Sequence, residues 1–96
     1  METFIKGATV ICSIEVYKAG VLYSPATSTS IKFERTQPQY CMEQDYTAMT
    51  PDSTGLFHYD FDTTDVGGLG CRIRVTYKLV DGARTSISKD TFGLEA

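Results

Sequence analysis

Asp52-Ser53-Thr54-Gly55-Leu56-Phe57-His58-Tyr59-Asp60-Phe61 is the stretch that decides the fold class of this chain. It begins with a turn and continues as a strand in which every second side chain is aromatic. Successive side chains of a strand point to opposite faces, so the rings of Phe57, Tyr59 and Phe61 share one face. A strand that buries three rings on one face predicts an all-β domain in which two sheets enclose a core.

The most regular strand of the chain begins at Cys71, after a glycine-containing loop from Asp62 to Gly70. Apolar side chains alternate with polar ones along it, which is typical of a half-buried strand. The inward positions are Cys71, Ile73, Val75, Tyr77 and Leu79, and the outward positions are Arg72, Arg74, Thr76 and Lys78. We expect the inward side chains to pack against the aromatic face of the strand that contains Phe57, Tyr59 and Phe61.

A hairpin follows this strand. The pair Asp81-Gly82 suits a two-residue type I′ turn. That turn predicts three pairs of opposite residues, namely Val80 with Ala83, Cys71 with Phe92, and Leu69 with Leu94. The same register sends Ile87 outward and places Asp90 beside Ile73 on the buried face. We therefore expect a β-bulge or a three-residue turn between Ala83 and Phe92.

The first half of the chain also shows alternation with a period of two. It predicts a strand from about Thr9 to Tyr17, with Val10, Cys12, Ile14 and Val16 on the buried face. After a break at Lys18-Ala19-Gly20, a β-branched run from Thr27 to Arg35 has Ile31 and Phe33 as its inward candidates. From Tyr40 to Met49 we expect a short strand or an irregular crossing.

Length and charge limit the classes of function. A chain of 96 residues fits one domain, so residues 1–96 are expected to form a single unit. The formal net charge of -3 provides no electrostatic attraction to nucleic acid or to anionic lipid, and we expect neither as a partner. No apolar run approaches the ~18 residues of a membrane span, and no signal-peptide pattern is evident. We expect synthesis in the cytoplasm and leave the final location open.

No group of residues demands a reaction. His58 is the only histidine, and nothing places a nucleophile beside it, so we expect neither enzymatic activity, nor a cofactor, nor a small-molecule substrate. A calcium site is an alternative, because Asp52 precedes the aromatic strand and Asp60, Asp62 and Asp65 gather at its end. Their spacing is not that of an EF-hand, and the capping of turns explains aspartates at these positions without a metal.

Two segments are candidate interaction surfaces. Val21, Leu22 and Tyr23 form an apolar connection between a glycine and a proline, and this connection either folds back onto the domain or docks on a neighbouring subunit. Arg72, Arg74 and Lys78 form a basic stripe, with Lys89 a candidate neighbour. The stripe either meets an acidic partner or forms a solvated face that discourages edge pairing.

Several short patterns follow one another along the chain: Phe4 with Gly7 and Val10, Gly20-Val21-Leu22-Tyr23-Ser24-Pro25, Met49 with Thr54 to Phe61, Gly70 with Val75, and Thr91-Phe92-Gly93-Leu94. Together they resemble bacterial and archaeal immunoglobulin-like modules, most of all the small ones encoded among structural genes of tailed viruses and proviruses. The resemblance implies an immunoglobulin-like antiparallel β-sandwich of about seven strands. It also implies a non-enzymatic structural or protein-interaction role, such as that of a virion component.

Two alternatives accompany this resemblance. Cys71 stands where such modules usually carry an aromatic residue, and a disulfide between Cys12 and Cys71 that links the two sheets is one possibility beside buried free thiols. The expected partner is another protein or a second copy of the chain. The alternative function is carbohydrate or cell-surface recognition, for which Tyr17, Tyr23, Tyr40 and Tyr46 are available.

Overall fold

The structure is a computed structural model that describes residues 2–5, 7–24, 27–37, 39–64 and 71–95. Its regular elements are ten strands, and no described residue is helical: β1 (Glu2–Ile5), β2 (Thr9–Glu15), β3 (Tyr17–Lys18), β4 (Val21–Leu22), β5 (Ser28–Gln37), β6 (Cys41–Ala48), β7 (Thr50–Ser53), β8 (Leu56–Asp62), β9 (Arg72–Asp81) and β10 (Arg84–Glu95). The chain is all-β, as predicted. The expected number of about seven strands is too low, because β1, β3, β4 and β7 are too short to show a period of two.

The strands form three sheets. The order is β1-β10-β9-β5-β6 in the five-stranded sheet, β2-β8-β7 in the three-stranded sheet, and β3-β4 in a small hairpin. The described pairings are antiparallel except that of β1 with β10, which is parallel. The arrangement is therefore mixed and not purely antiparallel. A parallel pair needs a long connection, and here the rest of the domain lies between the two strands.

One apolar core joins the two larger sheets. The ring of Phe61 on β8 stacks on that of Phe33 on β5, with a centroid distance of 3.8 Å. Phe92 on β10 contacts Phe61 edge-on. The predicted inward faces of β2, β5, β8 and β9 are confirmed, because this core contains Val10, Cys12, Ile31, Phe33, Phe57, Phe61, Ile73 and Val75. Sheets that bury such faces against each other gain the apolar contact that stabilises a small domain.

The turn between β9 and β10 lies one residue later than predicted. Asp81 pairs with Arg84, so the two turn residues are Gly82 and Ala83. Positive φ occurs at Gly82 but not at Ala83, which fits a type II′ turn, whereas a type I′ turn needs it at both positions. A shift of one residue in the turn moves the register by two residues and leaves each side chain on its predicted face.

The predictions that rested on the earlier turn are corrected accordingly. Val80 faces Thr85 and not Ala83, and Phe92 faces Ile73 and not Cys71. Asp90 lies opposite Val75, and the pairs run unbroken from Arg84 to Gly93, so the expected β-bulge is wrong. No bulge is required, because Asp90 stays on the inner face but is exposed there beside an open cleft. Ile87 is exposed as predicted, and Leu69 lies outside the described residues.

The segment from Tyr40 to Met49 is more regular than expected. It forms the eight-residue strand β6, which pairs with β5. The register nevertheless shifts on both sides of Phe33, so the expectation of irregularity is partly right. In the predicted loop after Asp62, only Thr63 and Thr64 are described, and Asp65 and the glycines of that loop lie outside the described residues.

Candidate interaction surfaces

Basic side chains are concentrated on the outer face of the five-stranded sheet. Arg72, Arg74 and Lys78 alternate outward along β9, as predicted. Register places Lys32 of β5 and Lys89 of β10 opposite Thr76, one on each side of β9. We call the five cations Lys32, Arg72, Arg74, Lys78 and Lys89 the basic face. They are five of the nine Lys and Arg residues in a chain whose net charge is -3.

The carboxylate of Glu34 lies within the basic face, and this residue is 4% exposed. The hydroxyl of Tyr40 donates a hydrogen bond to it. Arg74 and Lys32 lie 3.2 Å and 3.5 Å from its oxygens. The hydrogen bond from Tyr40, together with that from Arg74, holds the pKa of Glu34 below its ordinary value. This carboxylate is therefore satisfied within the domain, and the other cations remain available to a partner.

The centre of the basic face contains donors without acceptors. Thr76 is 2% exposed although it points outward. Neither its hydroxyl nor Nε of Arg74 makes a hydrogen bond within the described part of the chain. Nearby, the ammonium groups of Lys32 and Lys78 lie 4.8 Å and 5.1 Å from the ring centroid of Tyr46. Cation–π contacts of this kind hold the two lysines over the sheet.

The outer face of the three-stranded sheet has the opposite charge. Its strands β2, β7 and β8 contain neither Lys nor Arg. We call the four outward carboxylates of these strands, Glu15, Asp52, Asp60 and Asp62, the acidic face. His58 lies among them, and its Nδ1 is 2.6 Å from Oδ1 of Asp52. The two outer faces of the domain therefore carry charges of opposite sign.

The described carboxylates of the acidic face do not assemble into a metal site. No group of three or more His, Cys, Asp or Glu residues in the described ranges is arranged to hold a metal ion. The carboxylate of Asp62 instead accepts hydrogen bonds from the hydroxyl and the backbone N–H of Thr64, and these bonds lower the pKa of Asp62. Turn capping therefore accounts for this aspartate. Asp65 lies outside the described residues.

The apolar connection forms the second strand of the β3–β4 hairpin and then crosses the turn that precedes β8. The backbone N–H of Tyr23 donates to the carbonyl of Val16 at 2.8 Å. The Tyr23 hydroxyl donates to the Asp81 carboxylate at 3.0 Å. Leu22 and Tyr23 are half-buried, whereas Val21 is 67% exposed. The connection thus packs on the domain and leaves one apolar side chain outward, while docking on a partner stays a prediction.

The two predicted interaction sites occupy different elements. Val21 and Leu22 belong to the small hairpin, whereas the basic stripe belongs to β9 in the five-stranded sheet. The structure adds Lys32, Glu34 and Tyr46 to the stripe. Neither Lys32 nor Glu34 was singled out from the sequence, and Tyr46 was considered there only for carbohydrate recognition. Alternation with Ile31 and Phe33 does place Lys32 outward, but it contains no information on which strand lies beside β5.

A cleft of about 350 Å³ lies between β2 and the inner sides of β9 and β10. Its lining includes Phe4, Val10, Cys12, Val75, Tyr77 and Asp90. Burial raises the pKa of the Cys12 thiol to about 11, partly opposed by a hydrogen bond with Tyr77. Cys12 carries a free thiol, so the disulfide with Cys71 considered above is not formed.

Cys71 lies apart from this cleft. It is 1% exposed, and its carbonyl accepts a hydrogen bond from the backbone N–H of Leu94 at 2.9 Å.

In the described part of the chain there is no helix long and apolar enough to cross a membrane. No protein-family model, curated protein or solved structure matches this chain.

Proposed function

We propose that this chain is an immunoglobulin-like β-sandwich module. Variable-type immunoglobulin domains order four strands of one sheet as G, F, C and C′, and they place strands B, E and D together in the other. The orders β10-β9-β5-β6 and β2-β8-β7 correspond to these two series in chain order. This correspondence supports the proposal, together with the sequence resemblance. Ten strands are compatible with it, because β3 and β4 form a separate hairpin.

We propose further that the module is a non-enzymatic structural or protein-interaction component whose basic face binds an acidic protein surface. The observation that carries this proposal is the concentration of five cations on one face of an acidic chain. The carboxylate among them, that of Glu34, is satisfied within the domain. Complementary charges steer encounter and select partners.

The acidic face of a second copy has the charge that the basic face requires. Contact between unlike faces is head to tail, and such contacts build rings or open stacks of subunits. A repeated structural subunit is in keeping with the association with virions of tailed viruses or proviruses that the resemblance implies. The proposed partner is thus either another copy of this chain or a neighbouring protein that displays carboxylates.

The test is sedimentation velocity combined with charge reversal. The basic-face variant is Arg72→Glu with Lys89→Glu, because both side chains are exposed and neither contacts Glu34. The control is Lys18→Glu with Arg84→Glu, which changes the net charge equally outside that face. We expect the wild type and the control to associate at about 20 mM salt and to dissociate near 0.5 M, where screening is strong. The basic-face variant should remain monomeric.

A partner other than a second copy is tested with a hexaglutamate peptide. Chemical shifts of the β9 amides should move with the peptide in the wild type and not in the basic-face variant. If the wild type neither associates at low salt nor shifts with the peptide, the basic face is only a solvated surface and the proposed function is wrong. Equal association of the basic-face variant and its control would also contradict it.

Carbohydrate recognition is a second candidate function, and a hollow in the surface of the domain favours it. This hollow of about 140 Å³ is lined by Tyr17 and Tyr23 together with Lys18, Asp81 and Arg84. Aromatic rings beside hydrogen-bonding groups suit a sugar, which has apolar faces and many hydroxyls. A glycan array should show binding that Tyr17→Ala removes and Tyr40→Ala retains, since both tyrosines are exposed but only Tyr17 lines the hollow. An array without signal excludes this candidate.

A further inference from the structure

β2 forms an edge of the three-stranded sheet, and no strand within the described residues pairs with its outer side. Proteins usually protect such edges with charges, prolines or short strands. The opposite edge strand, β7, contains Pro51 and Asp52, and the edge strand β6 contains Glu43 and Asp45. In β2, by contrast, the six residues from Thr9 to Ile14 contain no charge and no proline.

The unprotected edge also presents an apolar side chain. Ile11, in the middle of β2, is 67% exposed. The cleft described above opens beside the same strand and is lined by Ile11 and Ser13 as well as by the inward residues of β2. A strand added beside β2, at the usual spacing of about 4.8 Å, would direct every second side chain into this cleft. The edge and the cleft together thus have the form of a site for one more strand.

Charge determines which strand fits. Glu15 ends β2, and Asp60 lies opposite Ile11 on β8, so both carboxylates belong to the outer side of this sheet. Two copies that paired antiparallel through β2 would join two acidic faces into one continuous surface, which like-charge repulsion opposes. A segment that carries Lys or Arg on its outward side would instead be attracted. The charges disfavour a second copy and favour a basic extended segment.

We propose that the outer edge of β2 binds an extended polypeptide segment that adds to the three-stranded sheet as a fourth strand. The segment carries apolar side chains at alternate positions, which fill the cleft, and Lys or Arg between them, which face the carboxylates. Backbone hydrogen bonds along β2 provide affinity, and the cleft provides selectivity. This site does not involve the basic face and is independent of the function proposed above.

The probe is the blocked, fluorescein-labelled peptide Lys-Val-Lys-Val-Lys-Val-Lys, with Glu-Val-Glu-Val-Glu-Val-Glu as its charge-reversed control. Fluorescence anisotropy measures binding, and amide hydrogen exchange locates it. At a free peptide concentration ten times Kd, the edge amides of residues 9–15 should exchange roughly tenfold more slowly, because exchange then requires dissociation. The acidic peptide should not bind.

Matched variants distinguish binding at the β2 edge from non-specific attraction of a basic peptide to an acidic protein. Ile11→Lys places a cation on the edge and should weaken binding at least tenfold. Ile87→Lys makes the same change at an exposed isoleucine of β10 and should leave binding unchanged. The proposal is overturned if no binding occurs at about 1 mM peptide, if both variants bind alike, or if exchange slows in other strands but not at the edge amides of β2. It is also overturned if exchange in β2 slows with protein concentration alone, because the occupant is then a second copy.

Discussion

Gly55→Ala should be among the most destabilising single substitutions in this domain, for a reason visible only in three dimensions. Gly55 lies in the turn before β8 with φ +74, and a Cβ there would lie 2.8 Å from N of Tyr23 and 2.9 Å from O of Val16. These two atoms are already joined by a backbone hydrogen bond of 2.8 Å. Because both are main-chain atoms, neither can move aside by a rotamer change.

The size of the effect follows from these contacts. An L side chain at positive φ costs about 1–2 kcal/mol. Displacement of the Tyr23 backbone also strains or breaks two hydrogen bonds, from Tyr23 to Val16 and from Val16 to Gly55, each worth about 0.5–1.5 kcal/mol. The less flexible unfolded chain returns about 0.4–1 kcal/mol. The net loss should be about 3 kcal/mol, which lowers Tm by roughly 12–24 °C for a domain of this size.

Gly20→Ala is the matched control. Gly20 has a similar φ of +79, but no atom lies within 4 Å of the place that a Cβ would occupy there. Only the conformational cost applies at this position, so a loss of about 1 kcal/mol is expected. Urea unfolding followed by circular dichroism and tyrosine fluorescence measures both variants. If Gly55→Ala and Gly20→Ala lose equal stability, the apolar connection does not pack against the turn before β8 and the reasoning is refuted.

Three further substitutions test separate features. Ala19, with φ 53, occupies a hairpin position that suits asparagine, so Ala19→Asn should raise the free energy of unfolding by about 1 kcal/mol in the same assay. The buried hydroxyl of Thr63 accepts from the Gly7 N–H and donates to the Ala8 carbonyl, and Thr63→Val should therefore cost about 1–3 kcal/mol; an unchanged midpoint would contradict these bonds. The pKa of Glu34 is lowered on folding, so its carboxylate stabilises the domain above the unfolded pKa of about 4.3, and this contribution is lost as pH falls through the folded pKa. The stability difference between the wild type and Glu34→Gln should thus shrink below about pH 4, and a pH-independent difference would refute the ion-pair account.

The strand faces could be predicted from the sequence because their cause is local. Alternation placed Ile31, Phe33 and Phe61 in the core, and the structure confirms all three. The position of the last turn could not be predicted in this way. Asp81-Gly82 and Gly82-Ala83 are both acceptable two-residue turns, and both keep each side chain on its predicted face. The choice between them depends on how Phe92 packs against Ile73 and Phe61, which are distant in the chain.

The candidate interaction surfaces could likewise be predicted from the sequence only in part. The period of two determined that Arg72, Arg74 and Lys78 point outward, since side-chain direction depends only on neighbouring residues of one strand. Lys89 was also a candidate neighbour from the sequence, and the pairing of β9 with β10 confirms it. Tertiary structure alone decided that Lys32 flanks β9 on the other side, that Glu34 is buried among the cations, and that no described strand pairs with the outer side of β2. Strand pairing joins residues far apart in the chain, so the neighbours of a strand depend on the packing of the whole domain and are not encoded in its own pattern.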